Sequence, residues 1–291
     1  MGYLHIDNLY KNQTILMFKQ CYALEKVHGT SAHVGINKQG AFHLFSGGEK
    51  YDNFAALFDH DTLRMNLLNV AEADHITIYG EAYGGKCQGM KNTYGPNLRF
   101  VAFDVRINDN WLNVPSAEDV TEKCGLRFVD YKRISTDLPL IDAERDADST
   151  EALRNGMGPG KLREGIVLRP LVEMRMNTGE RVIAKHKRDE FRETASPRVV
   201  GEPLEIKAAA DAVALEWVTQ ERLSHVIDKV QPRGVEDIRL LITHMTDDII
   251  REAGKEIVDS KAVRGKIGER TATLFKERLA HILEYGMKEK P

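Results

Sequence analysis

The stretch Glu25-Lys26-Val27-His28-Gly29-Thr30 leads into two short segments, Ala32–Ile36 and Ala41–Phe45, in which apolar and polar residues alternate. An alternation with a period of two is typical of β-strands that bury one face. The intervening Asn37-Lys38-Gln39-Gly40 is rich in turn-forming residues, so the sequence predicts a β-hairpin immediately after the lysine. Lys26 precedes this hairpin and lies three residues before Gly29.

The rest of the first two hundred residues also favours strands, with a few helices between them. Apolar residues near helical spacing predict two helices, Asn53–Val70 and Ser116–Cys124. The further predicted strands are His75–Tyr79, Phe100–Ile107, Gly165–Arg169 and Arg181–Lys187.

The pattern changes after Ser196-Pro197, where helical spacing takes over. One helix is predicted over Glu205–Val230, and Gln231-Pro232-Arg233-Gly234 ends it. A second follows from the apolar positions Val235, Ile238, Ile242, Met245 and Ile249, and a third from the stretch after Ser260. We therefore expect an α+β domain over residues 1–198 and a small, all-helical domain over residues 199–291.

The composition is that of an ordinary globular protein. Among 291 residues, 42% are hydrophobic, and 41 basic against 44 acidic side chains give a formal net charge of −3. No apolar run approaches the ~20 residues that a membrane helix requires, so no membrane association is expected. The three cysteines are widely spaced and form neither a metal-binding pair nor a disulfide framework. A reduced, cytoplasmic protein is predicted.

The small net charge hides one basic stretch. Residues 161–200 carry ten basic and six acidic side chains, while the segments on either side are acidic. Electrostatic screening over ~8 Å makes local charge more important than the total, so this stretch could contact a polyanion. A solvated surface explains the same excess equally well from charge alone.

Short polar motifs carry the chemical signal. They are Glu25–Thr30, Ile78-Tyr79-Gly80-Glu81, Glu164–Pro170 and Ala184-Lys185-His186-Lys187. Taken singly, each has a plain structural explanation, such as a solvated turn lysine, a carboxylate at the start of a strand or an exposed strand face.

Taken together, the motifs suit phosphate chemistry. Lys185 and Lys187 share one face of a strand, ~7 Å apart, and His186 lies on the other face. Lys26 beside a glycine is a nucleophile that a phosphoryl group can approach. Glu164 offers the kind of oxygen ligand that Mg²⁺ uses together with substrate phosphates. The set predicts attack by a lysine on a nucleoside triphosphate.

In this order, the motifs resemble those of the covalent nucleotidyltransferases, the ATP-dependent polynucleotide ligases and RNA capping enzymes. Within that group, Glu-Lys-x-His-Gly-Thr is most similar to the bacteriophage-type RNA ligase 2 family. The similarity covers about residues 20–195 and includes Tyr79-Gly80-Glu81, Phe100–Val105, Glu164–Pro170 and Arg181–Lys187. It implies an antiparallel-sheet nucleotidyltransferase (ATP-grasp-like ligase) domain followed by a small helical domain.

The resemblance also implies roles for individual residues. Lys26 would be the nucleophile that carries AMP, and His28 would support this adenylylation. Glu81 would hold the ribose and Phe103 would stack on the adenine. Further residues are implied in catalysis or nucleotide binding: Glu25, Glu164 (which would also serve the metal), Lys185 and Lys187. A packed core aromatic is the alternative for Phe103, since most strand aromatics are packing residues.

By this resemblance, the chain would be an ATP-dependent RNA ligase with Mg²⁺ or Mn²⁺ as cofactor. Its partner would be RNA with 3′-hydroxyl and 5′-phosphate ends, in a nicked duplex, and the protein would act as a monomer. Two alternatives share the motifs: a DNA nick ligase or GTP-dependent capping enzyme, and a nucleic-acid-binding module without catalysis.

Two positions depart from the family pattern. The stretch Phe45–Lys50 lacks the arginine that members carry after the first hairpin, and Lys50 offers no planar fork to replace it. Ser31 stands where many members have asparagine. Both departures concern contacts to the nucleotide and the RNA end rather than the lysine chemistry.

Overall fold

The computed structural model describes residues 2–202 and 207–286. They fall into two compact units, Met1–Glu190 and Phe191–Pro291. None of the described helices is long and apolar enough to cross a membrane.

The first unit is built on two sheets. Their named strands pair antiparallel, which confirms the antiparallel-sheet fold that the resemblance implies. One sheet has the strand order β7-β1-β8-β9 and the other the order β3-β2-β4-β5-β6. The strand bounds are β1 Gln20–Lys26, β2 Thr30–Ile36, β3 Phe42–Ser46, β4 Ile76–Gly84, β5 Leu98–Ile107, β6 Asn110–Trp111, β7 Tyr131–Ser135, β8 Gly165–Pro170 and β9 Ala184–Lys187.

Helices cover the outer face of each sheet. The α5 helix contacts β1, β7 and β8, whereas α1 and α2 pack on β3 and β2, and α4 packs on β5. The inner faces of the two sheets are therefore left to build a site between them. The helix bounds are α1 Tyr51–Ala55, α2 His60–Val70, α3 Lys91–Tyr94, α4 Val114–Lys123, α5 Leu138–Arg145 and α6 Thr150–Arg154.

The predicted hairpin is confirmed. β2 and β3 pair antiparallel with Gly35 opposite His43, and the turn between them closes with a hydrogen bond from the Gly40 amide to the Asn37 carbonyl. The first strand begins two residues earlier than predicted, so that Thr30, the last residue of the lysine motif, lies in the sheet.

The single helix predicted over Asn53–Val70 is wrong, because the structure divides it into α1 and α2. Asp59 lies in extended conformation between them, and its carboxylate accepts a hydrogen bond from the Thr62 amide. Such an N-cap begins a new helix by satisfying an amide that has no partner in the first turn. The spacing of Leu63 and Leu67 still buries one face of α2, as predicted.

The second unit is helical in its described part. Its helices are α7 Ala210–Trp217, α8 Gln220–Val230, α9 Ile238–Ala253 and α10 Lys261–Gly286. The predicted Glu205–Val230 helix is split into α7 and α8, since Thr219 caps α8 by accepting from the Arg222 amide. The predicted start of that helix, Glu205 and Ile206, lies outside the described residues.

The apolar stripe predicted for α9 is confirmed within the helix, where Ile238 at its first position already packs against the core, but not at Val235. Met245 and Ile249 are buried in a core with Trp217, Leu223 and the inner face of α10. Val235 is 51% exposed, because it precedes α9 in a short 3-10 turn. The helical spacing at that residue does not reflect burial.

Candidate active site

Pairing across three strands brings two of the predicted lysines together. Lys26 is the partner of Gly165 in β8, and Gly165 is in turn the partner of Lys187 in β9. Lys26 and Lys187 therefore flank a residue that has no side chain. A Cβ at position 165 would lie 2.2 Å from the carbonyl oxygen of His186, so only glycine fits this close approach.

Glu164 lies at the centre of this arrangement. Its Oε2 is 2.7 Å from Lys26 Nζ and 3.2 Å from His28 Nδ1, and its Oε1 is 2.9 Å from Lys187 Nζ. The Glu164 amide also donates to the Lys26 carbonyl. We call this group of Lys26, His28, Glu164 and Lys187 the Glu164 cluster.

The carboxylate of Glu164 is ionised despite its burial. Its side chain is 2% exposed, and burial alone would favour the neutral acid. The positive charges of Lys187 and Lys26 outweigh burial and hold the pKa of Glu164 well below its usual range. The Lys26 side chain is 23% exposed, so this ammonium group remains accessible to a ligand.

His28 is held from both sides. Its main-chain amide donates to the Tyr94 hydroxyl at 3.1 Å, while its ring meets Glu164. Tyr94 is buried, and this burial raises the pKa of its phenol well above the usual value. A neutral tyrosine therefore anchors the backbone two residues after the nucleophile candidate.

A cavity of about 180 Å³ opens between the inner faces of the two sheets, and Lys26 lies on its wall. Glu81 and Phe103 line the same cavity, from β4 and β5. The structure thus places three residues predicted from separate motifs around one space. The full lining is Tyr3, Leu4, Ile6, Leu24, Glu25, Lys26, Val27, Ser31, Glu81, Val101, Phe103, Val129, Val167, Arg169 and Ile183.

Lys185 and His186 lie on opposite faces of β9. Lys185 pairs with Val167, a cavity residue on the inner face. His186 contacts Asp142 of α5 on the outer face, with its Nε2 2.7 Å from the carboxylate oxygen. The predicted alternation is therefore seen, although Lys185 is 9% exposed and more deeply buried than a residue on an open cleft surface.

Glu25 is one of the residues that line the cavity, and its carboxylate is held from the start of α6. Its carboxylate accepts hydrogen bonds from the Ser149 hydroxyl at 2.5 Å and from the Thr150 and Glu151 amides. Burial raises its pKa, partly offset by the bond from Ser149. The side chain of Glu25 thus ties β1 to the start of α6, and it positions the strand that carries Lys26.

Three residues of the cavity lining come from an N-terminal segment that contains none of the predicted motifs. Tyr3, Leu4 and Ile6 form part of the cavity wall. The segment is held against β9 by main-chain hydrogen bonds from Lys185 to Asp7 and from Leu9 to Lys185. Its aromatic and aliphatic residues were the only local signal, and that signal does not indicate where the segment docks.

Behind Tyr3 lies a second buried network, which we call the Asp104 cluster. Tyr3 donates to Asp104 at 2.6 Å, and its ring contacts Phe103 edge-on at 4.9 Å. Two arginines bind the same carboxylate, Arg169 at 3.0 Å and Arg181 at 2.6 Å. The cluster consists of Tyr3, Asp104, Arg169, Glu173 and Arg181.

The donor set suits a magnesium ion held partly by its substrate. Mg²⁺ typically takes one or two carboxylates, together with phosphate oxygens and water. Glu164 supplies one carboxylate beside two lysines that can also contact phosphates. The metal role predicted for Glu164 fits the residues present.

The departures from the family pattern are found at different places. Ser31 lines the cavity and pairs with Glu81 across β2 and β4. Lys50 is exposed at the start of α1 and does not belong to the cavity lining. The position of Lys50 therefore does not support the idea that this lysine replaces the missing arginine.

The chain is similar to a known protein family in sequence and to solved structures in fold. A family model described as RNA ligase matches residues 19–187, more than half of the chain. No curated protein matches it in sequence.

Solved structures of an RNA ligase from Naegleria gruberi are similar in fold. A complex with PPi has a TM-score of 0.52, and an arginine-to-alanine variant with ATP and Mn has 0.51. Both are 14% identical and cover 66% of this chain and 57% of their own. The chain thus matches somewhat more than half of their length, and this likeness concerns the fold.

Proposed function

This chain belongs to the RNA ligase family, and on that premise we propose that it joins RNA ends in an ATP-dependent reaction with Lys26 as the covalent nucleophile. The observation that carries the proposal is the Glu164 cluster, whose Lys26 lies on the wall of the cavity. One partly accessible lysine lies 2.7 Å from a buried carboxylate that also binds Lys187. The Naegleria gruberi structures with ATP and Mn support the choice of nucleotide and of a divalent metal.

The first step is transfer of AMP to Lys26. The Nζ atom attacks the α-phosphorus, a P–N bond forms, the bond to the leaving pyrophosphate breaks, and the amine loses a proton. Attack requires the neutral amine. Lys187 binds the same carboxylate as Lys26, so a second ammonium group lies close enough to help hold the triphosphate during the attack.

The cavity residues would position the nucleotide for this attack. Glu81 is proposed to accept hydrogen bonds from the ribose hydroxyls, and Phe103 to stack on the base. Lys185 and Lys187 would neutralise the α-phosphate from β9. A divalent ion at Glu164 would supply further neutralisation of phosphate charge. Fixed charges of this kind contribute most of the rate enhancement in phosphoryl transfer.

Two later steps complete the joining. An oxygen of the RNA 5′-phosphate attacks the AMP phosphorus, the P–N bond breaks, and Lys26 regains its proton. The 3′-hydroxyl of the second RNA end then attacks the activated 5′-phosphorus, AMP leaves, and a phosphodiester forms. The proposed substrate is therefore RNA with 3′-hydroxyl and 5′-phosphate ends, in a nicked duplex.

The direct test is covalent labelling with α-³²P-ATP and Mg²⁺. The wild-type protein should retain the label through an acid-labile bond, and Lys26→Ala should lose it completely. Lys38→Ala is a matched control, because Lys38 lies in the hairpin turn and pairs with Asp74 in solvent. If Lys26→Ala labels as strongly as Lys38→Ala, the assignment of the nucleophile is wrong.

A second experiment tests the choice of substrate and of nucleotide. It measures the sealing of nicked duplexes that carry RNA or DNA on each side of the nick, with ATP or GTP. Sealing that requires RNA at the nick and ATP supports the proposal. Labelling by GTP alone, or sealing restricted to DNA, would favour the capping enzyme or the DNA ligase.

A further inference from the structure

A second cavity, of about 280 Å³, lies beside the first part of β5. We call it the Arg99 cavity. Its apolar part comes from leucine and phenylalanine side chains, and its polar part comes from two arginines. The lining is Leu57, Phe58, Tyr83, Leu98, Arg99, Phe100, Gly125, Leu126 and Arg127. It shares no residue with the cavity at Lys26.

Arg99 has a buried donor atom that faces no acceptor in the part of the chain that the structure describes. Its Nε atom is buried and has no hydrogen-bond partner among residues 2–202 and 207–286. Within these residues, no carboxylate forms an ion pair with its guanidinium group. Leaving a buried N–H without an acceptor is unfavourable, and more so for a charged group. An anion that enters the cavity would provide the missing acceptor.

The charge of Arg127 is also poorly compensated. Its Nη1 is 3.4 Å from Glu151 and 3.4 Å from Asn155, and its side chain is 43% exposed. Glu151 already accepts shorter hydrogen bonds from the Tyr83 hydroxyl at 2.8 Å and from Arg154 at 2.6 Å. Arg127 thus adds a second positive charge that a ligand can neutralise.

The surroundings indicate what kind of anion fits. Two arginines line this cavity, and guanidinium groups favour phosphate, which they bind through planar, bidentate hydrogen bonds. Phe58 and Phe100 contact each other edge-on at 5.6 Å and offer apolar and aromatic surface beside the arginines. Proteins that bind RNA strands combine cationic groups with aromatic surfaces in this way.

We infer that the Arg99 cavity binds a backbone phosphate of the RNA, with Arg99 and Arg127 on the phosphate and the adjoining sugar and base on the apolar surface. This inference rests on the proposed function, because it assumes that RNA is the substrate. It adds an RNA contact on residues that take no part in the transfer of AMP.

The test measures RNA binding by the full chain, using a fluorescein-labelled nicked RNA duplex at several salt concentrations. Arg99→Ala and Arg127→Ala should each weaken binding about 5–10-fold and reduce the slope of log K against log salt by about 1, the change expected for one lost phosphate contact. Arg99→Lys should lose part of the affinity, since it keeps the charge without the planar fork. Arg64→Ala, a change at an exposed arginine of α2, should bind as wild type.

Three further measurements separate the possible outcomes. Covalent labelling from ATP should stay at the wild-type level in all four variants, and unchanged melting temperatures should exclude misfolding. Wild-type affinity and salt slope in both alanine variants would overturn the inference. A second result would also overturn the inference: inorganic phosphate raises the melting temperature of the wild type but not of Arg99→Ala, while both proteins bind RNA with equal affinity. The cavity would then hold only small anions.

Failure of the proposed function is recognised separately. If the wild type takes no label from ATP, the ligase proposal fails whatever the RNA affinities are. If labelling is normal and only the RNA-binding comparison is negative, the Arg99 cavity alone is misassigned.

Discussion

The first unit contains two buried charged clusters that are built differently. In the Asp104 cluster, two carboxylates face two guanidinium groups, and both arginines bridge Asp104 to Glu173. In the Glu164 cluster, one carboxylate faces two lysines and an imidazole. The side chains of Arg169 and Arg181 are at most 4% exposed, whereas Lys26 is 23% exposed.

This difference separates a structural network from a reactive one. Balanced charges joined by several forked hydrogen bonds fix their partners and leave no charge for a ligand. An excess of lysines around one carboxylate leaves positive charge that a phosphate can neutralise, and an accessible ammonium group can reach it. We therefore expect substitutions in the first cluster to affect stability and those in the second to affect chemistry.

The largest effect is expected for Asp104→Asn. Asp104 is fully buried and binds Tyr3, Arg169 and Arg181. Removing one partner of a buried ion pair costs about 3–5 kcal/mol, because the remaining charges stay buried without compensation. The free energy of unfolding, measured by denaturant titration, should fall by this amount. A loss below 1 kcal/mol would mean that the cluster does not stabilise the fold.

The second-largest effect is expected for Glu164→Gln, and it should appear in the rate of AMP transfer to Lys26. Loss of the charge that holds Lys26 and Lys187 should reduce the rate of covalent labelling about 100-fold, in the range found for groups that stabilise developing charge. Single-turnover labelling with α-³²P-ATP measures this rate. If labelling proceeds at the wild-type rate, the carboxylate has no part in the transfer.

The Glu164→Gln variant should also change how the stability of the fold depends on pH in the acid range. The folded pKa of Glu164 is lowered from 4.5, so its ionised form contributes stability that is complete above pH 4.5 and is lost as the pH falls toward the folded value. The difference in melting temperature between wild type and Glu164→Gln should therefore narrow below about pH 4.5. A difference that stays constant there would contradict the lowered pKa.

The smallest effect is expected for Tyr3→Phe. The change removes the hydroxyl that binds Asp104 but keeps the ring against Phe103. Because Arg169 and Arg181 still satisfy Asp104, stability should fall by only about 1 kcal/mol. Tyr3→Ala should in addition raise the ATP concentration needed for half-maximal labelling, since Tyr3 lines the cavity. Equal labelling curves for both variants would exclude Tyr3 as a wall of the nucleotide site.

Short-range patterns were sufficient to predict the hairpin at Asn37–Gly40, the two faces of β9 and the helical character of the second unit. These features depend on the side-chain periodicity of neighbouring residues, which is written directly in the sequence. The two helix divisions were missed, although Asp59 and Thr219 are ordinary N-cap residues. Apolar spacing that continued across each cap concealed them.

The motifs also contain residues that the fold brings together, since Glu81 and Phe103 line the cavity at Lys26 and Glu164 contacts Lys26 directly. Their partners could not be predicted in the same way. The bridges from Glu25 to α6 and from Tyr3 to Asp104 join residues more than one hundred positions apart. Whether a carboxylate caps a helix, joins a salt-bridge network or faces a cavity depends on which distant strands pair. The same pairing sets how deeply the carboxylate is buried and which charges lie beside it, and these together determine its pKa.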